Sequence, residues 1–393
     1  MKCISAVSFI ILLAAGLQIE PLAPIPLPPV ARPEWRLNLY PEGHAFAFAI
    51  VHDADSAYSR RLAPLFDEFD ALRMKLTVTL FVFWPDWADG GQLRAQRPID
   101  PDSPEAFFGT RGSPLVDDVE RKFYLDLAAR GHEIGMHTPS DSSDTTTQLS
   151  AAFEYFTAVF GHPPSVYVEH SSRSNKETQE NQGAKPQSPY YSRDILNRYA
   201  PWVWVDGKLG LPLPGDPRYF DLIAFRGAPF SDEAARRYGI AKVFARTGRW
   251  AESNGEGFLR WYSKANVDTL ERDRGIALVY THLNEKWLDP VTRRMRFSLR
   301  QSLRYIASRN AWLVPAGTIL DRVALMRHVS LSKQGSLVHL ENRNPVSVPS
   351  VGIIAPEGSS LCRAHNVFHR RPGGDIPVGD LPSGAALDFE ICH

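Results

Sequence analysis

The sequence has 393 residues, with Lys plus Arg equal to Asp plus Glu at 44 each, so its formal net charge is zero. Without an excess of positive charge the chain has no global field that attracts nucleic acid or an anionic membrane, and both partners are disfavoured. The 44% hydrophobic and 22% charged composition is typical of a globular protein. The length predicts one large domain and a smaller one.

Residues 1–18, MKCISAVSFIILLAAGLQ, have the layout of a secretory signal peptide. A lysine precedes an apolar run that is too short to span a bilayer comfortably, although an uncleaved anchor remains the alternative. Residues 19–36 are rich in proline and predict an extended spacer. We therefore expect an exported protein with no transmembrane segment after cleavage, whose folded part begins near Trp35.

Short apolar runs alternate with helical periodicity over residues 37–326. HAFAFAIV, LTVTLFVF and the apolar part of RGHEIGMHTPSD predict the first three strands. The helix before the third strand is predicted to begin at Ser113 and Pro114, to carry Val119 on its apolar face and to end at Gly131. Further strands are predicted at SVYVEH, PWVWVD, DLIAF, IALVYTH and AWLVP. This alternation predicts an α/β fold in which parallel βα units form a closed or nearly closed barrel.

Residues 327–393 lack helical periodicity and contain short alternating runs that Gly, Pro and Asn interrupt, which predicts a small β-sandwich. Cys3 lies in the signal peptide, so an exported chain keeps only Cys362 and Cys392. An even pair of cysteines in an exported protein predicts a disulfide. The alternative is two unpaired buried thiols.

Acidic and imidazole side chains follow several of the predicted strands. They are Asp53 and Asp55 after the first strand, His137 and Asp141 after the third, His170 after the fourth and His282 after IALVYT. The carboxyl ends of parallel strands meet at one rim, so these groups are expected to converge there. Together they suit a divalent metal with acid and base groups. Taken singly, the two aspartates would suit a helix cap and His137 a buried core position.

Three of these segments resemble a known family. AIVHDADS, RGHEIGMHT and IALVYTHLN are similar to the first, second and fifth motifs of the polysaccharide deacetylases, the NodB-homology group of carbohydrate esterases. The resemblance implies a distorted (β/α) barrel, a divalent metal with zinc as the first expectation, and hydrolysis of N-acetyl or O-acetyl groups. It implies that Asp53 is the catalytic base, Asp55 and His137 are metal ligands, and His282 is the catalytic acid.

The sequence departs from the family pattern at the second and third motifs. Asp141 stands where the second motif usually has another histidine; a carboxylate also binds zinc, so Asp141 is the expected third ligand and His170 its rival. The usual Arg-Pro-aromatic motif is replaced by VEHSSRSNKETQENQG, whose Asn175 and Glu177 either line the substrate cleft or belong to a solvated loop.

Other polar and aromatic residues at predicted strand ends are weaker candidates. Arg226 and Asp206 each end a strand and could border the site, while Trp84 or Trp87 could stack on a sugar ring or pack a loop. The expected activity is metal-dependent removal of acetyl groups from a glycan or polysaccharide. The alternatives are a barrel that has lost catalysis and only binds glycan, and a hydrolase of another non-peptide C–N amide bond.

Overall fold

A computed structural model describes residues 34–54, 59–83, 114–169, 175–205, 232–244, 254–284, 286–371 and 374–392. The predicted signal peptide and most of the spacer lie outside these residues. So do six of the candidate site residues, which are Asp55, Trp84, Trp87, His170, Asp206 and Arg226. The predicted strand DLIAF is outside them as well.

The main sheet is parallel and forms a half-barrel that follows β1 (Arg36–Asn38) in the chain. Its strands are β2 (Phe46–Asp53), β3 (Thr77–Leu80), β4 (Glu133–Met136), β5 (Val166–Val168), β6 (Trp202–Trp204), β7 (Val243–Phe244), β8 (Ile276–Thr281) and β9 (Ala311–Leu313). They are ordered β7-β6-β5-β4-β3-β2-β8, and β9 pairs with the first residues of β2. The predicted α/β fold is confirmed, and β7 is a strand that the sequence analysis missed.

Helices flank this sheet and connect its strands. They are α1 (Ala63–Ala71), α2 (Asp118–Ala129), α3 (Thr146–Phe160), α4 (Arg193–Tyr199), α5 (Asp232–Tyr238), α6 (Gly255–Trp261), α7 (Lys264–Asp273), α8 (Phe297–Ser308) and α9 (Ala316–Met326). Within the described ranges, none of the helices has the length and hydropathy needed to cross a membrane.

The two faces of the half-barrel have separate cores because side chains alternate along each strand. On β2, Phe46, Phe48 and Ile50 pack outward against the surrounding helices. Ala47 and Ala49 face inward, into a cluster that includes apolar side chains of α9. The small inward side chains leave room for this helix on the concave face.

Helix α9 covers the amino-terminal end of the half-barrel. The backbone N–H of Ala316 donates to Thr77 Oγ1 at 2.8 Å, and the indole of Trp202 donates to Asp321 Oδ1 at 2.8 Å. Thr77 and Trp202 are the first residues of β3 and β6. With this end filled, the carboxyl ends of the strands form the open rim, where functional groups of such sheets normally lie.

The start of α2 differs from the prediction. Asp117 is the N-cap, and its carboxylate accepts the N–H groups of Val119 and Glu120 at 2.9 and 3.1 Å. The chain before it is held to the sheet instead, because Leu115 N–H donates to the carbonyl of Phe81. Pro114 is therefore not in the first turn. Val119 is exposed because the buried face of α2 carries Glu120, Tyr124 and Leu127.

Two antiparallel sheets pack into a sandwich. Its C-terminal strands are β10 (Val329–Gln334), β11 (Leu337–Asn342), β12 (Val348–Ile354), β13 (Ser360–Arg363), β14 (Asn366–Phe368), β15 (Asp375–Leu381) and β16 (Ala386–Cys392). One sheet has the order β10-β11-β16-β13-β14, and the other β1-β12-β15. Both contribute to one core, in which Leu340, Ile353 and Phe389 are buried. The strand β1, from the start of the described chain, completes the smaller sheet.

A buried arginine joins the sandwich to α9. Arg322 donates to the carbonyls of Leu39 and Ser350 at 3.1 and 3.2 Å and also to that of Pro349. Burial lowers the pKa of Arg322 to about 10. Since these partners are carbonyls that only a donor can satisfy, the guanidinium stabilises the junction between the two parts of the chain.

The predicted disulfide is present between Cys362 and Cys392, which close a loop of 30 residues. We expect Cys362→Ser to lower the free energy of unfolding of the sandwich by roughly 3 to 4 kcal/mol, because the unfolded chain gains loop entropy. Limited proteolysis of the exported protein measures this as faster cleavage after residue 327, with metal binding by the barrel unchanged. Equal cleavage rates for the variant, the wild type and the reduced wild type would contradict the expectation.

Candidate functional site

Three predicted site residues lie together at the open rim of the half-barrel. Asp53 is the last residue of β2, His137 follows β4 and His282 follows β8. All three are buried, with exposed fractions of 1%, 2% and 5%. Strand alternation places each of them on the concave face, which on β4 also carries Glu133 and Gly135.

The contacts converge on one carboxylate oxygen. His137 Nε2 lies 3.1 Å from Asp53 Oδ2, and His282 Nε2 lies 3.7 Å from the same atom. The hydroxyl of Tyr280 donates to it at 2.5 Å and lies 3.3 Å from His282 Nε2. A buried acid, two imidazoles and a phenol therefore form one hydrogen-bonded cluster.

Sequence analysis missed Tyr280. The available signal was alternation along β8, which places Tyr280 two residues before His282 and therefore on the same face. Its ring packs edge-to-face on Trp204 at 5.0 Å and on His282 at 5.3 Å. These contacts fix the direction of the hydroxyl toward Asp53.

His137 is held from both sides. Its Nδ1 lies 3.2 Å from the carbonyl of Val168 on β5, and its ring stacks on Phe81 at 5.3 Å. The next residue, Thr138, has a φ of 62°, which is costly for a β-branched residue. Thr138 Oγ1 donates to the carbonyl of Ser140 at 2.9 Å, which helps to hold the sharp turn that follows the histidine.

The first histidine of RGHEIGMHT has a different role. His132 faces outward, where its Nδ1 accepts the N–H of Leu76 at 3.1 Å and its Nε2 contacts Asp70 at 3.2 Å. Burial lowers the pKa of His132 to about 4, although the neighbouring Asp70 raises it in part. A neutral imidazole satisfies both contacts, so His132 supports the fold and lies away from the site.

The electrostatic balance at Asp53 favours its ionised form. Burial alone would raise the pKa of Asp53, but the charge and hydrogen bond of His137, the charge of His282 and the hydrogen bond of Tyr280 hold it well below its usual range. A carboxylate that stays ionised inside the fold is suited to accept a proton or to face a cation.

The geometry of His137 tests whether these residues suit a metal. Because the Val168 carbonyl only accepts hydrogen bonds, Nδ1 carries a proton, and the lone pair of a neutral His137 lies on Nε2. A lone pair and a carboxylate oxygen 3.1 Å apart require a cation between them, either a proton or a metal ion. A backbone carbonyl behind the imidazole is also the usual support of a metal-binding histidine. His137 therefore fits a metal ligand.

The other predicted ligands lie in the segments of the chain that follow the strands. Asp55 and His170 lie outside the described residues, and Asp141 is half-buried in the loop after His137. Among the residues that the structure describes, no three His, Cys, Asp or Glu side chains are arranged to hold a metal ion. The composition of the metal shell is thus a proposal.

Asn175 and Glu177 brace the loop that follows His137. The Asn175 amide donates to the carbonyl of Ser142 at 3.0 Å and to Glu177 Oε1 at 3.2 Å. Glu177 Oε2 accepts the N–H of Asp144 at 3.1 Å. Burial raises the pKa of Glu177 to about 7, against hydrogen bonds that lower it. Asp144, which sequence analysis did not single out, is buried beside it and accepts the N–H of Ser140 at 3.0 Å.

Comparisons with known proteins identify structures of similar fold at low identity. A crystal structure of Puue allantoinase has a TM-score of 0.44 and 12% identity, covering 73% of this chain and 93% of that one. The peptidoglycan deacetylase PdaC from Bacillus subtilis has a TM-score of 0.33 and 11% identity, covering 73% and 95%. No family model matches the sequence, and neither does any curated protein.

Proposed function

We propose that this protein is a metal-dependent hydrolase that removes acetyl groups from a glycan or polysaccharide. The observation that carries the proposal is the contact of Asp53 Oδ2 with His137, Tyr280 and His282 at the carboxyl ends of parallel strands. The family resemblance of the three segments that contain these residues supports the choice of an acetyl group.

Asp53 is the proposed general base. A water molecule attacks the acetyl carbonyl carbon while its proton passes to the Asp53 carboxylate, which a positioned carboxylate accelerates. His282 then protonates the departing nitrogen or oxygen as its bond to the acetyl carbon breaks, and acetate is released. Tyr280 touches both groups and holds them in their relative orientation.

We propose that His137, Asp55 and Asp141 hold the divalent metal, with His170 as the alternative to Asp141. Mixed nitrogen and oxygen donors favour zinc. When bound there, such an ion supplies a Lewis acid that lowers the pKa of water and stabilises the developing oxyanion.

We further propose that the protein acts outside the cytoplasm, after cleavage of residues 1–18 as a signal peptide. The support is the layout of those residues and the Cys362–Cys392 disulfide, a bond that persists in oxidising compartments. An acetylated extracellular glycan is the matching class of substrate.

Elemental analysis of the purified protein, combined with acetate release from a panel of acetylated glycans, tests the proposal. We expect about one zinc per chain and acetate release that stops after chelation and returns with added zinc. Stoichiometric zinc without release from any acetylated glycan or small acetyl amide would overturn the deacetylase activity. Absence of both zinc and release would favour a barrel that only binds glycan.

A further inference from the structure

A groove lies at the start of α8, in the part of the chain that follows β8 and His282. It has a volume of about 620 Å³. The residues that line it are Asp289, Pro290, Thr292, Arg294, Met295, Arg296, Phe297 and Arg300. They belong to the loop that follows β8 and to the first turns of α8, so one continuous segment joins the groove to His282.

Buried side chains and backbone hydrogen bonds hold this loop in place. Trp287, Leu288 and Met295 are buried, with exposed fractions of 0%, 5% and 3%. Asp289 N–H donates to the carbonyl of Arg294 at 2.8 Å, and Leu288 forms a β-bridge with Met295. These contacts hold the loop in a defined shape.

Two apolar side chains of this segment are exposed to solvent. Val291 is 86% exposed and Phe297 is 71% exposed, which makes them the two most exposed large hydrophobic side chains of the described residues. They lie within seven positions of each other. Of the two, Phe297 lines the groove, so its exposed ring is accessible to a molecule bound there.

The charge of the segment is positive. From Lys286 to Arg300 the sequence has five cationic side chains and one carboxylate, although the whole chain is neutral. That carboxylate, Asp289, already accepts the N–H groups of Val291 and Thr292 at 3.0 and 2.8 Å. It is therefore engaged in shaping the loop.

Arg294 is a cationic side chain of this segment that can bind an anionic ligand. Arg300 is paired with Glu68, and Arg296 lies 3.8 Å from Glu256. Arg294 is exposed and has no acidic partner among the described residues. A guanidinium beside an exposed aromatic ring offers a carboxylate a bidentate hydrogen bond and a sugar ring an apolar face.

We propose that this groove binds an anionic glycan chain, with a sugar ring on Phe297 and a sugar carboxylate on Arg294. The inference rests on the proposed function, because the segment leads directly from His282 and so lies beside the path of a polymer bound at the site. The expected substrate class is therefore an acetylated polymer that contains uronic acid.

The test compares Arg294→Gln and Phe297→Ala with Arg304→Gln, an exposed arginine on the same helix outside the groove. Isothermal titration with an oligouronate should show affinity reduced roughly ten-fold by Arg294→Gln, the size expected for one charge-assisted contact. Affinity should also fall in Phe297→Ala, which removes the apolar face for the sugar ring. We expect the control variant to bind as the wild type does. Binding should also weaken with salt, and a neutral oligosaccharide of equal length should bind more weakly to the wild type.

Equal oligouronate affinity for the wild type and both groove variants would overturn the inference. The inference would also be overturned if the groove variants kept oligouronate binding but lost binding to vesicles with anionic lipid. The same holds if they kept oligouronate binding but lost self-association. Binding is measured without turnover, so it separates the two proposals. If oligouronate binds through Arg294 but no acetyl group is released from any glycan, the groove stands and the deacetylase activity fails. If a small acetyl amide is hydrolysed equally by all variants and oligouronate does not bind, the hydrolase activity stands and the groove proposal fails.

Discussion

Asp53→Asn is expected to lower turnover by roughly 10²- to 10⁴-fold, the usual contribution of a general base. The change keeps the shape of the side chain, and its amide oxygen still accepts the hydroxyl of Tyr280. The contact with His137 Nε2 falls on the same atom, so a single amide oxygen replaces the carboxylate oxygen in both contacts. Steady-state acetate release at saturating substrate measures the loss, and circular dichroism checks the fold.

Tyr280→Phe is the matched comparison for this variant. It removes one hydroxyl, leaves the ring packed on Trp204 and keeps the carboxylate, so a smaller loss of turnover is expected. If Asp53→Asn retains near-normal turnover, Asp53 is not the base, and the aspartates of HDADS are better interpreted as caps of the following helix.

His137→Ala is expected to remove bound metal and to lower turnover by at least about 100-fold. Loss of the Lewis acid forfeits several kcal/mol of transition-state stabilisation, and each 1.36 kcal/mol corresponds to a factor of ten. The backbone pairing of β4 with β3 and β5 does not involve the imidazole, so its removal leaves the strands paired. Elemental analysis after dialysis measures zinc per chain.

Asp141→Ala and His170→Ala, prepared together, identify the third ligand. The true ligand loses zinc affinity, whereas the other residue changes at most the rate. Full zinc occupancy in His137→Ala would refute the metal assignment, because His137 is the predicted ligand that the structure places best. If zinc content is unchanged in both Asp141→Ala and His170→Ala, the third ligand beside Asp55 and His137 is a residue outside the prediction.

Much of the fold follows from local patterns in the sequence. Period-two alternation is enough to put His132 and His137 on opposite faces of the sheet, because successive side chains of a strand point to opposite faces. Gly161 ends α3 in the left-handed conformation, which a glycine after the last apolar residue of a helix favours. Asp117 is the N-cap of α2, and not the predicted Ser113. Both residue types are favourable caps and lie four positions apart, so packing against the sheet selects between them.

What sequence alone determined about this protein is which residues are apolar, which face of each strand carries Asp53, His137 and His282, and where most strands lie. Only the tertiary structure decided which side chains touch. It brought Tyr280 onto Asp53, used Asn175 and Glu177 to brace a loop, and paired β1 with β12 across more than 300 residues. Propensity and periodicity act over a few neighbouring residues, whereas the choice of strand partner depends on burying the whole core at once.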